Sequence, residues 1–117
     1  MIKLAFNRLY NQGFICRTAF RGNKVEAAQA ITKRALERKS EGAPVNGGVF
    51  FTAADVANRT PDGAYPIHFG RPATDKTGSM GLPEQVIAQK ICEAIKASNG
   101  WCEWDGNPEH PVIVKDN

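Results

Sequence analysis

The sequence predicts an α+β fold: a mixed or mostly antiparallel sheet of about five strands, with three helices packed on it. Three observations carry this. Residues 81–115 read as helix, tight turn, strand, hairpin and strand. Residues 14–20 alternate with the two-residue period of a strand. Residues 23–39 place apolar side chains at helical spacing behind a capping signal.

Taken in order, Ile2, Ala5, Phe6 and Leu9 share one helical face, with Lys3, Asn7, Arg8 and Asn11 opposite, and Gly13 closes the helix. In the strand that follows, Phe14, Cys16, Thr18 and Phe20 belong to one face and Ile15, Arg17 and Ala19 to the other. Both faces are apolar, which predicts a central or well-covered strand. Asn23 with Glu26 three residues on forms a capping box. Val25, Ala28, Ile31, Ala35 and Leu36 then mark a helix to about Lys39, whose outer face carries Lys33, Arg34, Arg38 and Lys39. Cations in the last turn suit the helix dipole.

Residues 40–48 hold glycine, proline and asparagine and form a loop. Val49–Thr52 is a short strand, Ala53–Ala57 a turn of helix, and Ala64–Phe69 another strand in which Pro66 argues for an edge position or a bulge. Residues 70–81 lack periodicity and read as the most mobile loop. Pro83 suits the first position of a helix that buries Leu82, Val86, Ile87, Ile91, Ala94 and Ile95, and Asn99-Gly100 ends it. Trp101–Trp104, a turn over Asp105–Pro108, and Pro111–Val114 complete the chain. The simplest layering puts the helices on one face of the sheet.

At 117 residues this is one domain, large enough for a core without disulfides. Its 42% hydrophobic and 23% charged residues are those of an ordinary globular chain, and the longest apolar run is too short to span a bilayer. The first residues do not form a secretory signal, and three cysteines without a C-x-x-C pattern give neither a disulfide framework nor a zinc knuckle. These features predict a cytoplasmic protein with buried thiols, no membrane partner, no cofactor and no metal. Charge is unevenly divided: residues 1–40 carry +7 and residues 41–117 carry −4. A basic half of this kind attracts nucleic acid or an acidic protein face, or pairs with the acidic half of its own fold.

Chemistry-bearing motifs are sparse. Asp75-Lys76-Thr77-Gly78-Ser79 resembles the aspartyl-phosphate loop of P-type ATPases, but the chain is too short for that machinery. Neither a P-loop nor a dinucleotide-binding glycine motif occurs. His68 and His110 are the histidines available to a thiol site with Cys16, Cys92 or Cys102. Trp101 and Trp104, three residues apart, face opposite ways on a strand, so that one is a candidate binding anchor beside Asp105 and the other belongs to the core.

Four segments together resemble a known bacterial family, the domain of unknown function 6891 family: Phe6–Arg17, Gly48–Asp55, Ala64–Gly70, and the closing helix into Trp104-Asp105-Gly106. The family pattern continues the first strand into a cysteine cluster. Here Phe20 is followed by Arg21-Gly22-Asn23-Lys24, so a metal or redox role does not carry over. The aspartate after the second strand matches Asp55. The resemblance implies a compact α+β domain and no particular activity.

The reading that follows is a small non-enzymatic protein-binding module, in the manner of regulators, immunity proteins or mobile-element inhibitors of host defence such as anti-CRISPR proteins. Its candidate partner-binding residues are Arg17, Arg21, Arg34, Arg38, Lys39, Arg71, Trp104 and Asp105. The same basic surface serves a nucleic-acid-associated protein as the alternative, and a small thiol enzyme is a third. The oligomeric state is open, with the strand at 111–115 a candidate for pairing across a two-fold axis.

Overall fold

A computed structural model describes residues 1–73 and 80–116. The segment Asp75–Ser79, and half of the 70–81 loop expected to be mobile, lie outside the described residues. The elements run α1 (Ile2–Asn11), β1 (Phe14–Phe20), α2 (Lys24–Ser40), β2 (Gly47–Thr52), α3 (Ala53–Ala57), β3 (Tyr65–Gly70), α4 (Glu84–Ala97), β4 (Gly100–Glu103) and β5 (Val112–Asp116). They form an α+β fold on a five-stranded mixed sheet of order β1-β2-β3-β5-β4. β1 and β2 are parallel, joined by α2 as a crossover, and the other neighbours are antiparallel.

The helices take both faces of the sheet rather than one. α1 and α4 cover the first face, where Leu9, Phe14, Val49, Ile67, Ile87, Ile91, Ile95, Val112 and Val114 are fully buried. α2 lies on the second face, where Ala27, Ile31 and Ala35 meet Ile15 and Phe50. A parallel pair requires a crossover helix, and that helix must lie on one side of the strands it joins. α1 and α4 already fill the other side.

β1 is an edge strand, yet it is covered above and below by α1 and α2. Its alternation does not run to the end. A bulge separates Arg17 from Phe20, opposite Phe50 and Thr52, and Ala19 turns to φ 47°. The extra residue reverses the face that follows it, so Phe20 packs with Ile15 on the α2 side and not with Phe14.

Pro66 lies in β3, the middle strand, not at an edge. It is tolerated because the β2 ladder reaches only His68–Gly70, while Tyr65–Ile67 pair with β5 alone. β5 is also interior, between β3 and β4, so the strand expected to pair across a two-fold axis has both neighbours already. The free edges belong to β1 and β4.

Local signals place the helix ends. Asn23 Oδ1 accepts from the Glu26 amide while Glu26 Oε1 accepts from the Asn23 amide, and Thr52 with Asp55 repeats the device at α3. Pro83 precedes α4 as its N-cap rather than opening it, and Asn99 takes the left-handed conformation after α4 at φ 65°. Asn46 ties three segments together: its amide donates to Gly13 O, and its own carbonyl accepts from Leu82 N.

Candidate functional site

Among the described residues, helices cover only half of the second face of the sheet. α2 packs on β1 and β2. Strand alternation then assigns the rest. Tyr65, Ile67, Val112 and Val114 belong to the first core, so Pro66, His68, Ile113 and Lys115 face the α2 side. The Lys115 ammonium lies 4.6 Å from the Trp101 ring centroid, which puts Trp101 on this face too. Pro66, Trp101, Ile113 and Lys115 are all half-buried there. The result is a corner: β3, β5 and β4 form its floor and α2 its wall.

α2 presents an unexpected surface to this corner. Its buried stripe is Ala27, Ile31 and Ala35; of the expected Val25, Ala28, Ile31, Ala35 and Leu36, only Ile31 and Ala35 are buried. Val25 is 65% exposed, Ala28 is exposed and Leu36 is half-buried. Small Ala27 and Ala35 let α2 approach the sheet closely, and Gly48 completes the fit: a Cβ there would come 2.6 Å from Ile31 Cγ2. Where wall meets floor, Ala28, Ile31, Thr32, Gly48, Phe50, Phe69, Gly70 and Pro72 line a cavity of about 120 Å³, with Arg71 at its margin.

His68 sits on the floor beside Phe50, ring centroids 5.0 Å apart, and its Nε2 is 2.9 Å from Asp55 Oδ2. Asp55 also accepts from the Thr52 amide at 2.9 Å. Burial acts to raise the Asp55 pKa, but the Thr52 amide and His68 outweigh it and hold the carboxyl below 3.8. Burial lowers the His68 pKa from 6.5 by more than Asp55 raises it. At neutral pH the pair is therefore a neutral imidazole donating Nε2–H to a carboxylate. Across a narrow cleft from His68 lie Pro108, Glu109, His110 and Pro111 of the β4–β5 connection. There the His110 ring meets the Asp105 carboxylate, and Asp105 Oδ1 accepts from the Asn107 amide.

The residues expected to bind a partner do not form one patch. Arg34 pairs with Glu37 at 3.2 Å and Glu41 at 3.7 Å, and the Arg38 guanidinium lies 5.4 Å from the Tyr10 ring centroid. Arg17 Nη1 donates to the Cys16 carbonyl at 3.0 Å. Lys39 is exposed at the end of α2 and Arg21 in the turn after β1. Arg71 follows the C-terminal end of β3, which the register sets level with the start of β1. At about 3.3 Å per strand residue it is roughly 20 Å along the sheet from Arg21. Trp104 and Asp105 lie beyond β4, at the edge opposite β1. Trp104 packs edge-on against Phe69 at 6.1 Å, and its Nε1 donates to the carbonyls of Asn107 (3.1 Å) and His110 (3.2 Å). Those contacts describe a tryptophan that closes the sheet end.

The structure does not bring the thiols to the histidines. Cys16 faces α1, with its Sγ 3.9 Å from Phe6 O. Cys92 and Cys102 meet each other between α4 and β4. Burial pushes the Cys16 and Cys92 thiols up to about 12, which disfavours the nucleophilic thiolate. Among the described residues, no group of three His, Cys, Asp or Glu side chains is placed to hold a metal ion, and no helix is long and apolar enough to cross a membrane.

Two features of the site escape a reading by spacing alone. The Asp55–His68 contact joins residues 13 apart whose only sequence signal is the Thr52-x-x-Asp55 capping box. The exposed apolar side of α2 is the other, because Val25 and Ala28 share helical spacing with Ile31 and so read as core.

The family model described as Domain of unknown function (DUF6891) matches residues 2–117. No curated protein and no solved structure matches the chain.

Proposed function

This chain belongs to the DUF6891 family, and we propose that it is a protein-binding module that acts by docking a partner protein in the corner between α2 and the open half of the sheet. One observation carries the reading. A five-stranded sheet is covered by α1 and α4 on one face, while on the other, among the described residues, α2 covers β1 and β2, α3 reaches β3 through Asp55 and His68, and β5 and β4 carry no helix. The floor so exposed holds Trp101, Ile113 and Pro66, half-buried apolar groups of the kind that anchor interfaces. Such a domain regulates or inhibits by occupying its partner's surface.

The test is a pull-down with tagged protein from lysate of the natural source, with and without nuclease, repeated with Ile113→Glu. Retention of one dominant protein that survives nuclease and is lost with Ile113→Glu is the expected result. Retention that disappears with nuclease, or binding to nucleic acid that weakens steeply with salt, would transfer the function to a nucleic-acid partner.

A further inference from the structure

The occupant of this corner can be specified from the charges on α2. On a repeat of 3.6 residues per turn, Val25, Ala28, Thr32 and Leu36 follow one another along the side of the helix that meets the sheet floor. The opposite side carries Glu26, Arg34, Glu37 and Arg38. There Arg34 is paired with Glu37 and Glu41, Arg38 lies over Tyr10, and Glu26 closes the N-terminal cap. The two sides thus differ in what they leave unsatisfied.

All the carboxylates of α2 are on the far side. The apolar stripe is bordered by Lys24 at its start, Lys33 along its outer margin and Lys39 at its end. These three lysines are exposed and make no ion pair among the described residues. The stripe from Val25 to Leu36 is about 16 Å long at 1.5 Å per residue, three turns of helix. Its small central residues, Ala28 and Thr32, allow another backbone close approach. The 120 Å³ cavity beside them, floored by Phe50, Gly48 and Gly70, receives one anchoring side chain.

We infer that the partner segment docked along α2 is an amphipathic helix with an apolar stripe and an acidic flank. The inference rests on the protein-binding reading given above and names the partner's chemistry. Charge decides among occupants. A second copy of α2 would bring further lysines to a stripe already bordered by Lys24, Lys33 and Lys39. A nucleic-acid backbone would gain from the lysines but nothing from Val25, Ala28 and Leu36. An acidic, apolar helix satisfies both features.

The test uses three fluorescein-labelled 18-residue helical peptides that share one Leu/Ala stripe and differ only in Glu, Gln or Lys flanks. Binding is read by anisotropy and located by amide chemical shifts. The Glu peptide is expected to bind tightest and to shift Ala28, Thr32 and Lys33. The double variant Lys33→Glu/Lys39→Glu, at two exposed positions, weakens the Glu peptide by roughly tenfold and strengthens the Lys peptide, as expected for exposed charge pairs. Equal affinity for the three peptides, or shifts confined to β4, would overturn the inference. Concentration-dependent self-association that Val25→Glu abolishes would replace the partner helix by a second copy. In the pull-down, a partner retained equally by wild type and by Val25→Glu refutes the α2 surface and leaves the protein-binding reading standing. No retained protein at all removes both.

Discussion

His68 Nε2 and Asp55 Oδ2 are 2.9 Å apart, and this contact fastens the middle strand of the sheet to the first turn of α3. Asp55 serves twice, since it also accepts from the Thr52 amide in the α3 capping box. Both groups are largely shielded, with side chains 12% and 15% exposed for Asp55 and His68. The contact therefore has consequences for stability that can be read by titration.

Asp55→Ala is expected to destabilise the fold by about 1–2 kcal/mol, the usual cost of a lost cap and a lost buried hydrogen bond. It should also lower the His68 pKa further, because Asp55 opposes the effect of burial on that ring. Stability should fall with acid in two steps. His68 is depressed below 6.5, so the unfolded chain takes its proton first and stability declines as pH drops below 6.5. Asp55 is depressed below 3.8, so its contribution is present above that pH and is lost as pH falls through its folded value. Urea unfolding from pH 7 to pH 3, with the His68 ring followed by NMR, measures both. A His68 titration unchanged by Asp55→Ala would show that the ring is not bonded to that carboxylate.

Gly48→Ala should cost about 1–3 kcal/mol, the range for overpacking a close contact. The added methyl meets Ile31 Cγ2, a branch that cannot swing away within α2. Because the two residues touch, the double variant Gly48→Ala/Ile31→Ala should be less destabilised than the sum of the singles. Additive denaturation energies would mean that α2 does not rest on Gly48.

The thiols set an alkaline limit. Cys16 and Cys92 stay protonated in the fold to about 12, against 9.0 for a free thiol. The unfolded chain therefore loses these protons first, and stability should decline as pH rises from 9 toward 12. Iodoacetamide at pH 8 should label the native protein far more slowly than the urea-unfolded chain. Rapid native labelling that abolishes partner retention would return attention to a thiol-dependent activity.

Much of the candidate site was hidden in the sequence for a specific reason. The basic cluster Arg34, Arg38 and Lys39 is visible as composition. Whether a cation is available depends on what stands beside it, and Glu37, Glu41 and Tyr10 occupy the two arginines. Val25 and Ala28 read as core because they share helical spacing with Ile31. The helix rests on Ala27 instead, since Gly48 draws that side of α2 onto the sheet.

The sequence by itself determined the class of fold and the order of its elements. Those depend on contacts within a few residues: strand alternation, the Asn23–Glu26 capping box, and the left-handed turns at Gly13 and Asn99. Tertiary structure alone decided which strands lie at the edges, that helices cover both faces, and that Phe20 reverses its side at the Ala19 bulge. It also decided which half of the second face stays open. These are outcomes of competition for a limited apolar surface. α1 and α4 together fill one side of the sheet, α2 is held over the two parallel strands it connects, α3 reaches only the His68 end of β3, and among the described residues β5 and β4 have no helix on that side.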